Sequence, residues 1–320
     1  MVGRVTLSLQ PMPVLTPSGV LVVDKARGPT SHDVVACVRR ALGIREVGHA
    51  GTLDPMATGV LVLALGEATK LVPWLTAHDK AYEAEIALGV QTDTLDADGR
   101  EVIRAPLGTA LFEALSQPRG REIPPALHAA LETERRRTVQ VPPAYSAIRT
   151  QGQRAFAAAR RGSMPVLAPR PVRVARLDLI AWSRDPAFLS LALEVGKGYY
   201  VRALARDLAG ALGTVGHVTH LRRLRSGPFV IDESVSVDAP PDQLQAYIQP
   251  IATAAGRALA LGRLTEAGTR DARHGRLVRP YDIDAPPRGP CAWFDPGGGL
   301  VAVGEVDDAG RGRVLRGFSS

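Results

Sequence analysis

The chain has 320 residues, with 39 Lys+Arg against 32 Asp+Glu and a formal charge of +7. A hydrophobic share of 45% with 22% charged residues excludes global disorder, and two cysteines, Cys37 and Cys291, exclude a disulfide framework or a Cys-based zinc site. The longest apolar run, Met56–Leu65, is about half the length of a membrane-spanning helix.

In chain order, the N-terminal stretch MVGRVTLSLQPMPVL lacks a charged-then-apolar signal pattern, so a reducing cytoplasm is the expected compartment. Gly19–Lys25 (GVLVVDK) reads as a buried strand ended by the turn Arg27-Gly28-Pro29. Ser31 is the expected N-cap of a helix through Leu42, closed by Gly43. Gly48–Gly59 (GHAGTLDPMATG) is a tightly turned loop anchored on the apolar strand Val60–Leu65. Ala81–Leu88 alternates as a strand does, and Asp93–Gly99 (DTLDADG) follows as a polar turn. Pro142-Pro143 interrupts a basic block, and Arg154–Arg161 reads as an Ala-rich helix. Val172–Trp182 and Phe188–Val195 form an expected strand pair, and Tyr200–Leu212 has helical periodicity up to Gly213. Composition shifts near residue 250. The chain divides into a mixed domain over 1–250 and a small β-rich module over 251–320.

Charge is unevenly spread along these elements. Residues 119–176 hold twelve arginines against Glu122, Glu132 and Glu134, and residues 202–225 add five against Asp207. Blocks of one sign point to a polyanionic partner. Nucleic acid is favoured over a membrane, because no basic segment pairs with a bulky apolar face. Only four of the cations are lysines (Lys25, Lys70, Lys80, Lys197). Arginine's planar fork suits phosphates and base edges, although biased genome composition produces the same skew.

Asp54-Pro55 is a common turn pair, and an aspartate on such a loop can serve as general base, nucleophile or metal ligand. The metal reading is weak, since His49 is the only other ligand type nearby. No nucleophile-elbow pattern suggests a Ser-His-Asp triad.

GVLVVDKARGPTSHDVV followed by GHAGTLDPMATGVLVLALGEATK resembles the TruB family, bacterial tRNA pseudouridine synthases that isomerise uridine-55 in the T loop. The resemblance continues through residues 80–99, 141–162 and 196–227, four ordered blocks covering most of 18–230. It implies an α+β fold: a mixed, mainly antiparallel sheet with flanking helices, a thumb insertion at about 120–165 and a PUA-like RNA-binding module over 251–320. Asp54 is then the catalytic aspartate and Arg202, in YYVR, its ion-pair partner; a buried carboxylate needs such a partner. Tyr82 stacks on the target uracil, Tyr200 adds a second aromatic, and Leu221 an apolar contact. His49 fills the space left by the flipped base. Lys25 joins this substrate set as a structural or backbone-contacting residue. No metal or organic cofactor, no membrane and no obligatory protein partner are implied, and a monomer acting on the tRNA T-arm is expected. The rivals are an RNA-guided synthase acting on ribosomal RNA, disfavoured by the thumb-like block, and a non-catalytic tRNA-binding or folding protein. Tyr199 stands where the family usually has a small Thr, and Arg149 where Lys is common.

Overall fold

The structure, a computed structural model, describes residues 18–117, 122–146, 148–150, 153–154, 167–285 and 288–319. Its centre is a sheet built from β1 (Gly19–Lys25), β2 (Val47–His49), β3 (Thr58–Leu65), β4 (Lys80–Leu88), β5 (Val174–Arg184), β6 (Ala187–Val195), β7 (Gly216–Ser226) and β8 (Val235–Ser236). Their order is β5-β6-β4-β7-β3-β1-β8, with β2 added along β3. Within this order β7 with β3 and β1 with β8 are parallel, and the other pairs are antiparallel. The fold is therefore α+β with a mixed, mainly antiparallel sheet.

Continuous apolar runs mark strands buried on both faces. In β1, Leu21 and Val23 enter one core with Leu61, Leu63 and Ile86, whereas Val20 and Val22 enter a second with Val60 and Val62. The first core is covered by α1 (Ser31–Leu42), α2 (Thr109–Ser116), α3 (Pro125–Arg135) and α4 (Val201–Ala211). The second is closed by α5 (Ile251–Ala258), with Ala254, Ala255 and Ala258 buried, and by Ala292, Val303 and Phe318 of the C-terminal module. That module is a five-stranded sheet around Trp293. It shares a core with the back of the main sheet, so the boundary near residue 250 is a continuous packing surface. No helix among the described residues is long and apolar enough to cross a membrane.

Two expectations change. The N-cap of α1 is Thr30, which forms a capping box with Asp33, and Gly43 closes the helix in the left-handed region as expected. Ser31 is instead buried, with its hydroxyl on the Leu53 backbone. In the basic block, α3 buries Leu127, Ala130 and Leu131 in the first core. Arg154 lies in a short hairpin, Arg149–Thr150 with Gln153–Arg154, and the remainder of the expected helix Arg154–Arg161 falls outside the described residues.

Many of the described arginines of the two basic blocks meet an acid of the same chain. Of the five arginines in 202–225, Arg202 and Arg223 are buried, while Arg206 pairs with Asp207, Arg222 with Asp24 and Arg225 with Glu194. In 119–176, Arg135, Arg136, Arg137, Arg173 and Arg176 each pair with a carboxylate. Arg170 is exposed, and the side chains of the other six fall outside the described set.

Candidate active site

The loop between β2 and β3 carries Asp54, at the end of the sheet where β1 finishes and β3 starts. Gly51 and Gly59 both have φ of +96°. At Gly59 a Cβ would lie 2.2 Å from the Arg223 carbonyl oxygen, so only glycine lets β3 begin against β7.

Four side chains from other elements fix this loop. Ser31 Oγ accepts from Leu53 N at 2.9 Å and donates to Leu53 O at 3.2 Å, tying the first turn of α1 to the residue before Asp54. Lys25 Nζ donates to Pro55 O at 3.1 Å and Ala57 O at 2.7 Å, as well as to Ala26 O. Arg223 donates to Val60 O and Gly51 O from beneath. Arg202, from the first turn of α4, meets Asp54 itself, donating a hydrogen bond from Nη2 to Oδ1 at 3.0 Å and bringing Nε within 2.9 Å of Oδ2 in an ion pair. A hydrogen bond and an ion-pair contact to the two oxygens fix orientation as well as charge.

The Arg202 side chain is 7% exposed against 32% for Asp54, so the carboxylate faces outward from a buried cation. The remaining donors of Arg202 reach Thr94 O and Tyr145 O, each at 2.9 Å, and Asp96 lies 3.5 Å away. Asp96 is buried, and burial pushes its carboxyl pKa up, against the pull of Thr94 and Arg202. Asp96 and Thr94 belong to the polar turn Asp93–Gly99. Their part in the site went unread because DTLDADG resembles ordinary turn chemistry. A short carboxylate in a turn flanked by strands is the signal that could have marked it.

The other expected residues are placed as follows. Lys25 is fully buried with its ammonium on loop carbonyls, the geometry of a backbone-contacting residue. Burial lowers its pKa to about 8. His49 ends β2 with its ring 5.3 Å from that of His32, edge to face. Burial lowers the His49 pKa, so the ring is neutral at pH 7. Tyr82 is half-buried on β4 opposite Arg223, and the buried Leu221 lies opposite Ala84, two residues further along the same strand. Tyr200 is the residue preceding α4, and burial raises its phenol pKa. The structure thus joins Asp54 to Arg202 directly. Tyr82, Leu221 and Tyr200 lie on elements that flank this pair. No hydrogen bond or ion pair joins Asp54 and His49 among the described residues.

A further residue escaped the sequence reading. Gln140 is 1% exposed, and its amide donates to Tyr200 O at 3.2 Å and accepts from Tyr200 N at 2.9 Å. It holds the backbone at the helix start, two residues before Arg202. Gln140→Leu should cost about 1–3 kcal/mol by stranding both groups. It should also slow turnover roughly tenfold by loosening Arg202; thermal melts and single-turnover rates check this, and an unchanged rate would make Gln140 purely a stability residue.

A model of the TruB family pseudouridylate synthase N-terminal domain matches residues 39–201, and one of the tRNA pseudouridylate synthase B C-terminal domain matches residues 202–255. The tRNA pseudouridine synthase B of Thermobifida fusca (strain YX) is 40% identical over 293 residues, spanning 90% of this chain and 94% of that protein. The protein of the same name from Mycobacterium sp. (strain KMS) is 43% identical over 287 residues, spanning 89% and 91%. A chain from the crystal structure of a Cbf5-Nop10-Gar1 complex superposes with a TM-score of 0.70 at 24% identity over 94% of this chain and 84% of its own, a likeness of fold. On family models over residues 39–255 and these relatives, the chain belongs to the TruB family of pseudouridylate synthases.

Proposed function

We propose that the protein is a stand-alone tRNA pseudouridine synthase acting on uridine-55 in the T loop, with Asp54 as its essential carboxylate. The observation that carries this reading is the outward-facing Asp54 paired at both oxygens with a buried Arg202. Isomerisation breaks the bond from ribose C1′ to uracil N1, turns the base and joins C1′ to C5; C5 gives up a proton and N1 gains one. A fixed, ionised carboxylate can serve as nucleophile or as base in that sequence without a metal or organic cofactor.

The target base is stacked within the folded loop and must be extruded. Tyr82, Tyr200 and Leu221 form the apolar and aromatic walls for it, and the neutral His49 ring occupies the vacated space. The basic block over about 120–165 and the PUA-like module over 251–320 hold the T-arm through phosphate contacts, which set affinity and salt dependence. The enzyme works as a monomer in the cytoplasm. Relatives at 40–43% identity carry the name tRNA pseudouridine synthase B, which supports tRNA as the substrate.

Incubation of the protein with a uridine-55 tRNA transcript, followed by chemical mapping of pseudouridine, should show product at that position alone. Product elsewhere, or product only with added guide RNA and protein partners, would overturn the assignment. Tight tRNA binding with no product in a single turnover would favour a folding role instead.

A further inference from the structure

Arg223 is among the most deeply buried side chains of the protein, at 1% exposure, and among the described residues it has no carboxylate at ion-pairing distance. An uncompensated guanidinium in a protein interior is costly, and its donors must go to fixed acceptors. Here they go to three carbonyls: Val60 O at 2.6 Å, Gly51 O at 3.0 Å and Thr52 O at 3.5 Å. Two lysines share this condition. Lys25 spends its ammonium on Ala26, Pro55 and Ala57, and the buried Lys80 on Thr76 and His78.

The three cations gather beneath one loop. A Cβ on Gly51 would lie 3.6 Å from Arg223 Nη1 and 3.7 Å from Lys80 Cε, which places both side chains against the same glycine. Arg223 and Lys25 share a cause, the row of carbonyls on the loop that carries Asp54, whereas Lys80 packs beside Gly51 with its ammonium on Thr76 O and His78 O. Gly51 and Thr52 precede Asp54, while Pro55 and Ala57 follow it. Each of these carbonyls turns toward a buried cation. A carbonyl oxygen swung outward beside the carboxylate would repel it and reduce the charge available for reaction.

We propose that Arg223 is a positioning residue for the isomerisation: its guanidinium holds the loop from the Gly51 side as Lys25 holds it from the Pro55 side, and together they aim Asp54 at Arg202 and the substrate. The role is separate from RNA grip, since the side chain is enclosed. It also separates two adjacent arginines of β7: Arg222 points to Asp24 at the surface, and Arg223 points to the loop.

The test compares the full-length wild type with Arg223→Met and Arg223→Lys by amide hydrogen exchange over residues 51–60, T-arm RNA affinity and single-turnover rate. Arg223→Met should raise exchange in that loop and lower the rate roughly 100-fold, while RNA affinity stays within about threefold. Arg223→Lys keeps the charge with fewer donors and should recover part of both losses. A wild-type rate in Arg223→Met overturns the assignment, as does an affinity loss equal to the rate loss. If Arg223→Met fails to fold, Arg223→Lys decides alone, and wild-type exchange with a wild-type rate overturns it. The rate readout rests on the proposed function, but the exchange readout does not. An inactive wild type would refute that function, and unchanged loop exchange would refute the role of Arg223.

Discussion

Asp54→Asn is expected to lower the single-turnover rate by on the order of 10⁴-fold or more while leaving RNA affinity and fold nearly intact. The amide is isosteric but uncharged, so it can neither attack nor take a proton. It also meets Arg202 badly. One oxygen can still accept from the guanidinium, but the NH2 group faces a donor where Oδ1 or Oδ2 had stood at 3.0 and 2.9 Å. Arg202 keeps Thr94 O, Tyr145 O and the nearby Asp96, so the stability loss should stay near about 1–2 kcal/mol. Asp54→Glu restores the charge but lengthens the reach by one methylene, and it should remain below a hundredth of the wild-type rate, as misplacement of about 1 Å commonly costs roughly 100-fold. Quantified pseudouridine from pre-steady-state mixing checks both. A rate within about tenfold of wild type in Asp54→Asn would remove Asp54 from the chemistry.

Which parts of this site could be read beforehand follows from how local each signal is. The loop Gly48–Gly59 is contiguous, and its glycines, Asp54 and following strand announce themselves within twelve residues. Arg202 is 148 positions away from its partner and is legible only through a resemblance that joins the two. The strands of the sheet follow from apolar runs, and α4 from its period and Gly213. The capping box at Thr30 was also in view, since Asp33 stands three residues after it, but Ser31 sits beside it with the same hydroxyl chemistry. Only packing shows Ser31 bound to Leu53. Gln140, Asp96 and Arg223 look like ordinary strand and turn polar residues, and their meaning lies in partners brought together by the sheet. Charge counted by segment shows a basic block but not which of its arginines are paired in space. The arginines of 202–225 form a basic block along the chain, but Asp24, Asp207 and Glu194 meet three of them in space.

Replacing Arg202 should be the most damaging single change in the protein, because several groups depend on one guanidinium. In Arg202→Met the Asp54 carboxylate loses its hydrogen bond and its ion pair, the carbonyls of Thr94 and Tyr145 lose a donor, and the buried Asp96 loses its nearby cation. Breaking a buried pair from one side costs about 3–5 kcal/mol, and the partial exposure of Asp54 keeps this case toward the lower end. Activity should fall to background, since an unrestrained Asp54 no longer meets the base in one orientation. Arg202→Lys separates charge from geometry. A point charge can face one carboxylate oxygen but cannot span Asp54, Thr94 and Tyr145 together, so most of the stability should return and a rate deficit of roughly 100-fold should persist. The Asp96 term can be isolated with the double variant Arg202→Met with Asp96→Asn. Asp96 already has a raised pKa through burial, so without Arg202 its ionised form becomes the most exposed liability of the fold. Removing that charge should recover about 1 kcal/mol or more of the stability lost in Arg202→Met, without restoring turnover. Denaturant melts at pH 7 on the four proteins of the cycle measure the coupling. A purely additive cycle would show that Asp96 and Arg202 act independently despite lying 3.5 Å apart.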